Sequence, residues 1–104
     1  MRFPLPGLAV LLLSPPVQAA APRTLVVTIE RMQFGAMPAT ARAGDRILWV
    51  NKDLVLHSAT AGDGSFDLDV PAGARKAAVL KAGTIRVVCR YHPAMRAMLK
   101  VRPR

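Results

Sequence analysis

Two residue types with metal chemistry are scarce in this chain. There is one cysteine, Cys89, and there are two histidines, His57 and His92. The segment Cys89-Arg90-Tyr91-His92-Pro93-Ala94-Met95 sets a thiol, an imidazole and a thioether at Cys-x2-His-x2-Met spacing. With the second imidazole of His57 upstream, this is a soft donor set. Two imidazoles, a thiolate and a weak axial thioether make the ligand set of a type 1 copper ion. The thiolate is the strong donor, the imidazoles serve Cu(I) and Cu(II), and the thioether favours Cu(I). Met95 is the nearest thioether, and Met98 competes with it. Singly, each residue has a plainer reading: Cys89 as a small buried hydrophobe, His57 as a turn cap, His92 as a surface imidazole, Met95 as packing. Their joint spacing points to the metal.

The same counts exclude other chemistry. One cysteine allows no disulfide within the chain, no Cys-x-x-Cys redox pair and no iron–sulfur cluster held by this chain alone. Two histidines do not make a three-imidazole zinc site, and none is left for a second copper centre of the kind copper oxidases use. Six acidic residues without a cluster give acid–base catalysis few candidates. The chain is therefore read as a non-enzyme.

The elements that must position these residues are short strands. Turn signals recur at Ala43-Gly44-Asp45, Ala61-Gly62-Asp63-Gly64, Pro71-Ala72-Gly73 and Lys81-Ala82-Gly83. Between them apolar residues alternate: Leu25, Val27 and Ile29; Ile47 and Trp49; Phe66, Leu68 and Val70; Ile85, Val87 and Cys89. Arg75–Leu80 and Met98–Val101 are further runs. No sustained helical stripe appears. The pattern predicts an all-β fold, a Greek-key sandwich or barrel of about six to eight short strands. Cys89 then points inward at the carboxyl end of its strand. His57 sits in a loop after the Trp49 strand, and His92 and Met95 in a loop spanning Arg90–Arg96. Leu99 and Val101 face the core and Met98 faces away. The site lies at one end of the sandwich.

Residues 1–19 read as a signal peptide, with Arg2 as its basic start, Leu8–Leu13 as its apolar run and cleavage after Ala19 or Ala20. That leaves one domain, 20–104, exported to the periplasm. No stretch reaches the ~20 apolar residues of a membrane span. An unpaired cysteine in an oxidising compartment needs burial or a metal. The formal charge is +9, or +8 without Arg2. The cations are scattered, with no basic run and no aromatic interleaving, which argues against nucleic acid. An acidic protein partner or an anionic membrane surface suits the charge; a merely solvated basic surface is the plain alternative.

On these residues the sequence resembles the cupredoxins, the plastocyanin and azurin family, and within them most the amicyanins, from Thr24 to Val101. Asn51, six residues before His57, resembles the family's Asn before its first copper histidine. Cys89-x-x-His92-Pro93-x-Met95 resembles the short amicyanin ligand loop, whereas the nine-residue step to Met98 matches no cupredoxin loop. The resemblance implies one type 1 copper ligated by His57, Cys89, His92 and Met95. It implies that the Asn51 backbone amide donates to the Cys89 sulfur while its side chain braces the two loops. It implies a soluble monomer that carries single electrons between redox proteins; copper storage or delivery is the alternative. By resemblance the His92 ring edge reaches the surface, with Pro93 and Ala94 as an apolar docking patch and Arg90 and Arg96 as a basic rim for an acidic partner. The chain is short and basic, so the amicyanins' own partners do not transfer to it.

Overall fold

A computed structural model describes residues 2–4, 6–7, 9, 11–13 and 21–104. The expected cleavage residues Ala19 and Ala20 lie outside the described residues. Eight strands follow in order: β1 (Thr24–Glu30), β2 (Gln33–Phe34), β3 (Arg46–Asn51), β4 (His57–Ala61), β5 (Asp67–Val70), β6 (Arg75–Val79), β7 (Gly83–Cys89) and β8 (His92–Val101). They form two four-stranded sheets, ordered β2-β1-β3-β6 and β5-β4-β7-β8. β1 and β3 run parallel, and the other pairs are antiparallel. The architecture is the all-β sandwich that the alternation predicts, at the upper end of its strand count. Among the described residues no helix is long and apolar enough to cross a membrane.

Side-chain alternation builds the core. Val27 and Ile29 of β1, Ile47 and Trp49 of β3, Ile85, Val87 and Cys89 of β7, and Leu99 and Val101 of β8 are all buried. Each fully buried aliphatic side chain contributes roughly 1.5–3 kcal/mol relative to exposure. Trp49 sits between Phe34 and Phe66, with ring centroids 5.7 and 5.8 Å away.

The layout gathers one end of the molecule. β3 ends at Asn51, β7 ends at Cys89, and β4 and β8 begin at His57 and His92. Two placements differ from the sequence reading. His57 opens a strand rather than lying in a loop. β8 begins at His92, so the Arg90–Arg96 loop shrinks to a turn at Arg90 and Tyr91. The reason is a break in register: Val88 pairs with Arg96, but Cys89 pairs with His92. Pro93, Ala94 and Met95 are thereby left without partners on β7, a bulge that does the work of the expected loop.

Candidate metal centre

β7 delivers the thiol. Its alternation turns Ile85, Val87 and Cys89 inward, and Cys89 is the last of that buried row. β4 delivers the first imidazole, with His57 held opposite Val70 of β5. The bulge in β8 lets His92 pair directly with Cys89. One donor atom from each of His57, Cys89 and His92 lies within 4.8 Å of the other two. The two imidazole rings meet edge to face, centroids 5.1 Å apart at 71°. His57 Nδ1 stands 3.9 Å from Cys89 Sγ. His57 and Cys89 are buried while His92 is partly exposed, so the cluster opens to solvent on the His92 side.

Met95 is buried in the core and Met98 is 52% exposed, paired across to Arg86 on the outer face. The alternation of Leu99, Val101 and Met98 agrees with the sequence reading.

The environment of Cys89 is arranged for a thiolate. The Ser58 amide donates to Cys89 Sγ at 3.3 Å. Burial pushes the thiol up, but the Ser58 amide, the His57 imidazole and the Tyr91 and His92 amides outweigh it, and the net lies below the ordinary thiol value. A thiolate-prone sulfur and two imidazoles without a carboxylate among them suit a soft, thiophilic ion, so the residues fit copper.

Asn51 is buried as expected, but its bonds differ from those the resemblance implies. Its backbone amide donates to Ala74 O at 3.0 Å, not to the sulfur. Its side-chain Nδ2 donates to Val55 O at 2.8 Å and Val70 O at 2.9 Å. Asn51 therefore ties the 52–56 loop to β5 rather than to the Cys89 segment. That second task falls to Ser58, whose Oγ accepts from the Arg90 amide at 2.8 Å while its own amide faces the sulfur. A serine directly after a candidate ligand, in a strand of small residues, was the signal for it. A second residue missed in the sequence is Asp53, whose Oδ2 lies 2.7 Å from His57 Nε2.

Pro93, Ala94, Arg90 and Arg96, the residues expected to meet a partner, are exposed. Arg90 is not an unbalanced rim charge. Its guanidinium donates to Asp67 at 2.8 Å and Asp69 at 2.7 Å and lies 5.1 Å over the Tyr91 ring. Asp67 first, then Tyr91 and Asp69, hold its pKa above the ordinary arginine value.

No family model and no curated protein matches the chain. Solved structures do match. The reduced state of a single-residue amicyanin variant superposes with a TM-score of 0.63 at 26% identity, covering 75% of this chain and 81% of that one. The oxidised state of another variant gives 0.61 at 27% identity over the same shares. The Cu(I) form of a third gives 0.61 at 26% identity, covering 83% of this chain and 86% of that one.

Proposed function

This chain has the cupredoxin fold and is similar to the amicyanins, and from that premise we propose that it is a periplasmic blue copper protein that carries single electrons between redox partners. The observation that carries this reading is the convergence of His57, Cys89 and His92 within 4.8 Å at a nearly buried site. Copper, when bound, supplies a one-electron couple, Cu(I)/Cu(II). Cys89 is the strong donor, its charge stabilised by the Ser58 amide. His57 and His92 would serve both oxidation states, and the buried Met95 would supply a weak thioether donor that favours Cu(I). The donors arise from strand ends and a bulge within one packed sandwich, which supports a small rearrangement between oxidation states.

Storage or delivery of copper is the second reading, and one observation weighs against it. The only Met-x-x-Met pair, Met95 and Met98, is split between the buried and exposed sides of β8. It forms no open thioether site for handing over Cu(I). A carrier holds its copper through repeated ascorbate reduction and reoxidation in the presence of a Cu(I) chelator. Loss of copper to the chelator within one cycle rejects the carrier reading.

Export with cleavage after Ala19 or Ala20 belongs to the same proposal, and copper accounts for the unpaired Cys89 outside the cytoplasm. Docking would use the His92 side. Pro93 and Ala94 follow His92, and Leu54 (95% exposed), Val55 and Leu56 precede His57, so apolar residues flank both imidazoles. An apolar centre suits brief contact and short tunnelling distances. The surplus positive charge supports an acidic partner.

A further inference from the structure

We propose that the outer face of the first sheet, across β1, β3 and β6, is a docking surface for a protein partner whose contact area is apolar and edged with carboxylates. The proposal goes beyond the copper reading and does not depend on it, because none of His57, Cys89 and His92 lies on that sheet.

In a two-sheet sandwich the inner faces make the core and the outer faces meet water, so outward residues are expected to be polar. The second sheet obeys, with Asp67, Asp69, Arg86, Arg90, Arg96 and Lys100 exposed on its outer side. The first sheet does not. Val27 and Ile29 of β1 and Ile47 and Trp49 of β3 point into the core, which turns Val26, Leu48 and Val50 outward. On β6 the buried residue is Ala78, so Ala77 and Val79 face out. Register sets Val26, Leu48 and Ala77 side by side across the three strands, with Val50 and Val79 in the flanking rows. Val26 and Val79 are each 59% exposed. At strand spacings of ~4.8 Å and a rise of ~3.3 Å per residue, these three rows span roughly 10 by 13 Å between their outermost Cα positions.

Two arginines frame the apolar row. Arg46 stands opposite Val79 on one side of it and Arg75 opposite Val50 on the other. Both are exposed, and no carboxylate of the described residues pairs with either. Glu30, further along β1, lies beyond these rows and opposite Gln33. Arg90 on the other sheet shows the contrast, because Asp67 and Asp69 balance it. An apolar centre between two unbalanced cations is complementary to an apolar surface that carries carboxylates. A second copy of this chain fits worse. It would bring two more unbalanced arginines to the contact, and the patch falls well short of the ~800 Å² per partner of a stable interface. A lipid surface also fits worse, since entering it takes Trp, Phe or Leu side chains, and this face is mostly Val and Ala.

The test is a methyl NMR titration of the purified protein with octanoate below its micelle concentration, an apolar chain ending in a carboxylate. Octanoate is expected to shift the signals of Val26, Leu48, Ala77 and Val79, in metal-free and copper-loaded protein alike. Acetate, which lacks the chain, and octyltrimethylammonium, which reverses the charge, should leave them in place. Arg46→Gln and Arg75→Gln should each weaken octanoate binding by about two- to fivefold. Val26→Lys, at a well exposed position, should abolish it without unfolding the protein. Equal shifts with octanoate and octyltrimethylammonium, shifts that gather on the other sheet, or unchanged binding in both arginine variants would overturn the proposal. So would a dimer in sedimentation velocity that Val26→Lys dissolves, which gives the face to a second copy. Binding to phosphatidylglycerol vesicles that Val26→Lys removes would overturn it in favour of a membrane.

Discussion

Cys89 owes its chemistry to neighbours that the sequence alone names only in part. The Ser58 amide faces its sulfur, and the Ser58 hydroxyl takes the next amide along, Arg90. Cys89→Ser is expected to abolish the intense colour of the Cu(II) protein while some Cu(II) stays on the imidazoles; a variant with the native absorption spectrum would remove Cys89 from the ligand set. Met95→Leu should retain copper and raise the potential in voltammetry, because a weak sulfur donor is replaced by apolar bulk. Met98→Leu should shift it little, since Met98 is on the outer face; the reverse ranking would give Met98 the axial role. Ser58→Ala deletes the acceptor for the Arg90 amide and should cost about 1 kcal/mol in denaturant unfolding. The convergence of His57, Cys89 and His92 was legible because scarce types at fixed spacing leave few combinations. Asn51 was legible as a buried brace but not for what it braces: bonding partners depend on which strand ends meet in space, and spacing along the chain does not carry that.

At the scale of elements, alternation revealed β1, β3, β5 and β7, where apolar residues recur at every second position. It failed for β4, His57–Ala61, because its Ser, Ala and Thr are nearly all covered and no polar face marks the period. It failed for β2 because two residues have no period at all. β8 looked short because the bulge at Pro93–Met95 interrupts its alternation. Leu99→Ala in β8 should lower stability by roughly 2–5 kcal/mol, as other buried Leu-to-Ala changes do, and a loss below 1 kcal/mol would contradict its place in the core. The far end of β3 carries a second anchor. Asp45, fully buried, accepts from the amides of Arg23 and Arg42 and pairs with the Arg104 guanidinium, joining the start of β3 to residues near both ends of the domain. The Arg23 amide first, against burial and with help from Arg42, Arg104 and the Arg23 side chain, holds its carboxyl below the ordinary 3.8. A folded pKa below the unfolded one means stability that is present at neutral pH and lost as pH falls below about 4. Melting curves of Asp45→Asn should therefore lie well below native at neutral pH and converge with it in acid; a gap that does not change with pH would show that the charge is not what matters.

Across the whole molecule, positive charge is uneven. Arg90 is balanced by Asp67 and Asp69, but Arg86, Arg96 and Lys100 stand exposed on the outer face of β7 and β8, around Met98. Arg96 lies beside Val88, one residue from Cys89, so under the proposed docking charge steering would fall to this face more than to Arg90. Steering acts on association and is screened over a Debye length of ~10 Å at about 0.1 M salt. Electron transfer to an acidic partner should slow as salt rises, and Arg96→Glu should slow it further at low salt. Ala94→Asp should impair docking with the copper spectrum nearly unchanged. Stopped-flow rates that hold steady or rise with salt would reject steering for that partner. Net charge was legible from composition; its distribution was not, because it depends on which carboxylates the fold brings to which arginine.

The central claim, that His57, Cys89 and His92 hold one copper through a thiolate bond, is tested most directly by the visible spectrum of the oxidised, copper-loaded protein. The account predicts an intense band toward the red end from thiolate-to-copper charge transfer, at one copper per chain, bleached by ascorbate and restored on reoxidation. Weak absorption of the kind imidazole-bound Cu(II) gives without a thiolate, or no copper retained at all, would contradict it.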